Sequence, residues 1–128
     1  MTEVLLFRPK RDAFDTSEIE DRISTLGSAF RDPLDSHVFI VSADKATADY
    51  FQELRQTAPE RGLPFTLLIS VQPQMIWVRQ LCDGPELALA REFVEWLLQR
   101  YECRVYDDDG HDLTALAKAS VENLYRKE

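Results

Sequence analysis

The sequence predicts an α+β fold built as one domain over residues 1–128, with elements in the order βαβαββαβα. Three observations lead there. Apolar, β-rich runs alternate with stretches whose apolar residues recur at helical spacing. Two such runs, Phe65 to Val71 and Met75 to Leu81, are close enough to form a hairpin. The 128 residues match one ordinary domain, and neither a fixed-period repeat nor a Ser/Gly-rich linker divides them. The expected sheet is mixed or antiparallel, of about five strands, with helices mainly on one face. From the second strand to the fifth the order reads βαββαβ, the ferredoxin-like arrangement.

The first strand is Glu3 to Arg8, ending before Pro9, which cannot donate to a central ladder. In "FDTSEIEDRISTLGSAF", Asp15 and Glu18 have capping-box spacing, and Ile19, Ile23 and Leu26 fall at i, i+4 and i+7. Gly27 then supplies a left-handed helix stop. Asp32-Pro33 opens a turn, and Val38 to Val41 is apolar enough to be a buried, central strand. Ser42 or Asp44 caps the second helix, which carries Ala46, Tyr50, Leu54 and Ala58 on one side and ends near Pro59 and Gly62.

The hairpin comes next, because the Gln72-Pro73-Gln74 connection is short enough to require antiparallel neighbours. Its second strand sets Met75, Trp77, Arg79 and Leu81 on one face and Ile76 and Val78 on the other. The third helix has Asp83 at its N-cap, Glu86 three residues later and Pro85 in the first turn. Its apolar stripe is Leu87, Ala90, Phe93, Val94, Leu97 and Tyr101. Arg104 to Tyr106 forms a short strand. Leu113 to Tyr125 forms the last helix, with Leu113, Leu116, Ala117, Val121 and Leu124 on one side.

Composition narrows the chemistry. A net charge of −8, from 23 acidic and 15 basic residues, argues against nucleic acid, whose backbone attracts clustered Lys and Arg. The one basic cluster, Arg8, Lys10 and Arg11, is mixed with Asp12. Apolar runs such as Val38 to Val41 fall far short of the roughly 20 residues that cross a bilayer, so no membrane span is expected. The start, "MTEVLLFRPKRDAF", has an acidic residue before its apolar segment and charges after it, the reverse of a secretory signal. The protein is read as cytoplasmic. Cys82 and Cys103 are isolated and outside zinc-ligand spacing, so reduced thiols and no cofactor are expected.

The segment "CRVYDDDGHDLT", residues 103–114, concentrates carboxylates around a histidine. Anchored on Gly110, an EF-hand loop would begin at Val105 and end at Leu116, so both end ligands are missing and no metal site is expected. Asp109-Gly110 is instead a turn signal, and Asp112 an N-cap for the last helix. That leaves Asp107 and Asp108, with Glu102, as an acidic edge. His37 and His111 are the only histidines, and GxSxG, HExxH, P-loop and GxGxxG motifs are all lacking. A catalytic pair would have to assemble in space, as His111 with Asp108 or Cys103 with His37, and catalysis is not expected. Trp96 reads as packing beside the stripe of the third helix. Trp77 shares a strand face with Arg79, a combination enriched at interface hot spots.

The expected function is a small acidic, non-catalytic interaction protein that binds a basic protein partner through Asp107, Asp108, Trp77 and Arg79. A second copy of the chain is within the range of partners. In size and charge the chain is similar to the small acidic α+β immunity proteins that bacteria make against secreted toxins; no motif carries the likeness, and a regulatory protein could share the build. The alternative is a small-ligand-binding or enzymatic α+β domain, with a pocket between sheet and helices lined by Trp77, Arg79 and His37.

Overall fold

A computed structural model describes residues 4–59, 67–80 and 85–125. Its elements run β1 (Val4–Pro9), α1 (Thr16–Ile23), β2 (Ser28–Arg31), β3 (Val38–Ser42), α2 (Lys45–Thr57), β4 (Leu67–Gln72), β5 (Met75–Gln80), α3 (Pro85–Arg100), β6 (Cys103–Asp107) and α4 (Thr114–Ala119). A short 3-10 helix, Val121–Leu124, follows. The strands form one six-stranded sheet in the order β2-β3-β4-β5-β1-β6, and every neighbouring pair is antiparallel. This is the predicted α+β class with one strand more than expected.

The additional strand is β2, four residues that pair with β3 from Ser28 opposite Ser42 to Arg31 opposite Phe39. The ferredoxin-like arrangement is not formed. β5 and β6, joined by α3, do run parallel with β1 between them, a split crossover. β3 and β4, joined by α2, are instead direct antiparallel neighbours.

Local signals set most of the boundaries. Asp15 accepts the Glu18 amide at the start of α1, and Asp44 accepts the Thr47 amide at the start of α2, each satisfying an N–H that the helix itself cannot. Gly27 ends the first helical unit with φ +64°, where a Cβ would stand 2.7 Å from the Ser42 carbonyl oxygen. The hairpin turns through Pro73 and Gln74, pairing Gln72 with Met75. The Asp83 cap, Cys82, and the outer ends of the predicted hairpin, Phe65 and Leu81, lie outside the described residues.

Two predicted helices differ in detail. In α2 the buried residues are Ala48 and Phe51, while Tyr50 is 59% exposed. The helix is rotated from the expected Ala46/Tyr50 stripe, because Phe51 is the larger apolar group in contact with the sheet and Arg55, on the same side, reaches the buried Asp32. The last helix is broken: Ser120 is extended, at φ −167° and ψ 137°, and its hydroxyl accepts the Glu122 amide to start the 3-10 helix. A serine that bonds a local amide competes with helix continuation.

The main core lies between one face of the sheet and helices α1, α3 and α4, around Phe7, Ile19, Ile23, Ile69, Ile76, Phe93 and Leu97. Each such side chain contributes about 1.5–3 kcal/mol by leaving water. Ile40 and Phe51 form a second, small core with Phe30 and Leu68, which places α2 on the opposite face. Helices therefore cover one face broadly and the other at its β2–β3 end. Over β5, β1 and β6 that second face carries no helix among the described residues.

Candidate interaction surface

Strand alternation builds this open face. β1 turns Leu5 and Phe7 into the core, and β5 does the same with Ile76 and Val78, β6 with Cys103 and Val105. The opposite face receives Leu6 and Arg8, Met75, Trp77 and Arg79, and Arg104 and Tyr106. Register then sets Trp77 opposite Leu6 and Leu6 opposite Tyr106, so these three side chains form a row across three strands. All three are half-buried, as is Met75, whereas Arg8, Arg79 and Arg104 are exposed.

The arginines on this face differ from the other described arginines. Arg11, Arg22, Arg31, Arg55, Arg91 and Arg100 each form an ion pair, with Glu102, Glu92, Glu20, Asp32, Glu122 and Glu18 respectively. Among the described residues, Arg8, Arg79 and Arg104 form none, and all three stand around the Trp77–Leu6–Tyr106 row. Arg8 and Arg104 are directly opposite each other in the β1–β6 ladder. Like charges in that relation are destabilising. Among the described residues no carboxylate forms an ion pair with them, although Asp112, bridged to Tyr106 at the sheet edge, lies near enough to Arg104 for their charges to attract.

The acidic segment sits beside this face and has a structural task. Asp107 Oδ1 accepts the amides of Asp109, at 3.0 Å, and His111, at 2.8 Å, while Oδ2 lies 2.9 Å from His111 Nδ1. Gly110, at φ +87°, makes the turn the loop needs. The chain then folds back along the outer edge of β6. The Asp107 amide donates to the His111 carbonyl, Leu113 donates to Val105, and the Val105 amide donates to the Thr114 hydroxyl. These bonds occupy backbone groups that an edge strand would otherwise leave open.

Electrostatics follow from the same contacts. Burial raises the Asp107 pKa, but the His111 amide and ring outweigh it and hold the carboxyl below its ordinary value. The Asp107 carboxylate in turn raises His111. Asp112 is held low by the Thr114 hydroxyl and amide, with Arg104 and Lys10 adding through space. Its role is corrected by one position. Asp112 bonds the Thr114 amide at 2.9 Å, but Leu113 is the residue at the cap and α4 has no side-chain cap. Asp108 is exposed, and Asp107 is committed to its own loop. The ligand atoms of Asp107, Asp109 and His111 lie within 4.8 Å of one another, with both Asp107 oxygens already engaged by the loop.

The catalytic pairs considered from sequence do not assemble. His111 meets Asp107 rather than Asp108. Cys103 is buried, its thiol pushed up to about 12 by that burial, and β4, β5 and β1 separate its strand from β3, beside which His37 lies. A depression of about 230 Å³ beside Cys103 and another of about 560 Å³ along α3 are lined by none of Trp77, Arg79 and His37. Trp96 packs as expected, against Phe93 and Tyr101 with Arg22 over its ring.

Sequence reasoning put Trp77 and Arg79 on one strand face but did not set Leu6, Arg8, Arg104 and Tyr106 beside them. Alternation in β1 and β6 was the available signal; that these strands flank one another was not. Comparison with known proteins gives no matching family model, curated sequence or solved structure. No described helix is long and apolar enough to cross a membrane.

Proposed function

We propose that this chain is a non-catalytic interaction protein that docks a protein partner on the open sheet face centred on Trp77. One observation carries the reading: the described arginines that lack an ion pair surround the half-exposed row of Trp77, Leu6 and Tyr106. Trp, Tyr, Met and Arg are the residue types enriched where interfaces concentrate their binding energy. Trp77 and Tyr106 supply area at low entropic cost, and each guanidinium offers fixed donors to a partner's acceptors. Net charge alone favours a basic partner, but of the proposed acidic pair Asp107 is engaged by its own loop, which leaves Asp108 at the rim and gives the docking to the arginine-lined face.

Capture of partners with immobilised wild-type chain, Trp77→Ala and Asp108→Asn tests this. Trp77→Ala should lose the captured partner through faster dissociation, and Asp108→Asn should alter association rate at most. A partner held equally by wild type and Trp77→Ala would remove the sheet face as the docking site.

A further inference from the structure

The chemistry of the occupant can be read from the same face. Three guanidiniums that form no ion pair among the described residues surround an apolar row, and two of them, Arg8 and Arg104, are held side by side by the β1–β6 register, with only Asp112 acting on Arg104 through space. Two cations fixed at neighbouring positions lose their mutual repulsion when an anion sits between them, and arginine binds carboxylates through paired donors. We infer that the occupant is an acidic polypeptide segment, its carboxylates taken by Arg8, Arg104 and Arg79 and an apolar side chain seated on Leu6 between Trp77 and Tyr106. This inference rests on the docking reading above and gives the docked partner its sign.

Area and charge favour a segment over the other anionic or self-complementary occupants. Strands lie about 4.8 Å apart and rise about 3.3 Å per residue, so the face over β5, β1 and β6 with its β4 margin measures roughly 14 by 20 Å. That is well under the roughly 800 Å² per partner of a stable interface between two folded proteins. A second copy would also bring the same three arginines toward one another. A single-stranded nucleic acid is the poorer fit on geometry, since the eight excess negative charges of the chain act on any anion and leave the local face to decide. Trp77 and Tyr106, two strands apart, are about 10 Å from each other, too far to stack consecutive bases.

The test pans a random-peptide display library on the folded full chain and measures the enriched peptides by fluorescence anisotropy against four variants. These are Trp77→Ala, the charge reversal Arg8→Glu/Arg104→Glu, the neutral Arg8→Gln/Arg104→Gln and the conservative Arg8→Lys/Arg104→Lys. The arginines are exposed, and circular dichroism melts verify that each variant folds. The expected result is enrichment of acidic peptides bearing a large apolar residue. Their affinity should fall about tenfold or more with Trp77→Ala and with charge reversal, fall less with the lysine pair, and weaken as salt rises. Neutral or basic peptides that depend on Trp77 but ignore Arg8 and Arg104 would overturn the acidic occupant and leave the docking face standing. No enrichment, or peptides indifferent to Trp77→Ala, would overturn both. A single-stranded oligonucleotide that outcompetes the enriched peptides on the same residues would overturn the choice of a polypeptide.

Discussion

Arg55 grips Asp32 with two parallel hydrogen bonds, Nε to Oδ1 at 3.0 Å and Nη2 to Oδ2 at 2.9 Å. The carboxylate is only 5% exposed and also accepts the Leu34 amide. It ties α2 to the connection between β2 and β3, on the face where the second core is small. Burial raises the Asp32 pKa, but Arg55 and the Leu34 amide more than offset this and hold it below its ordinary value.

Asp32→Ala should therefore cost about 3 kcal/mol, since it removes both parallel bonds of a buried, charged pair. Urea melts of Asp32→Ala, Arg55→Ala and the double variant give the coupling, and single losses under about 0.5 kcal/mol would refute the clamp. The pH dependence has a fixed sign. A carboxylate held low when folded adds stability above its unfolded pKa, and that stability is lost as pH falls through the folded value. Asp32→Ala should flatten this part of the acid limb.

Asp107 and Asp108 are adjacent and chemically identical, yet should behave differently. Asp107→Ala removes an acceptor used by two amides and a ring nitrogen and should cost about 1–2 kcal/mol. Asp108→Ala should stay within about 0.5 kcal/mol of wild type. Equal denaturant midpoints would show that the loop does not depend on Asp107.

His111 gives a second pH signature, of opposite direction. Its pKa is raised by Asp107, so its contribution is complete below the unfolded value and fades as pH rises through the folded one. In a proton NMR titration its midpoint should drop in Asp107→Asn. An unchanged midpoint in that variant would remove the pairing.

Gly27 and Gly110 both have positive φ but differ in space. Alanine at Gly110 meets nothing within 4 Å and should cost about 1 kcal/mol, from backbone strain alone. Alanine at Gly27 adds a clash with the Ser42 carbonyl and should cost clearly more. Thermal melts that rank the two in reverse would contradict the close approach of the helix stop to β3.

What the sequence disclosed was local. Asp15, Asp44 and Gly27 act on residues within a few positions of themselves, and the hairpin needs only two adjacent runs. β2 was hidden because "SAFR" offers only four residues between Gly27 and the Asp32-Pro33 turn, and gains its identity from β3. The rotation of α2 depends on Asp32, 23 residues before Arg55. The candidate surface was half legible for the same reason: Trp77 and Arg79 share a strand, whereas Leu6 and Tyr106 join them through pairings that span most of the chain.

Those pairings also set the order in which the molecule can be completed. β1 leaves the ribosome ahead of the other strands of this sheet, yet Leu5 pairs with Val78 on one side and Asp107 on the other. During synthesis β1 stays amphipathic and unpaired until β5 emerges, and keeps one edge open until β6 does. Closing such distant contacts is slow, and unpaired strands are prone to wrong associations while they wait. Chains halted before Cys103 should therefore engage holdase chaperones through β1, and release from them should coincide with the emergence of β6.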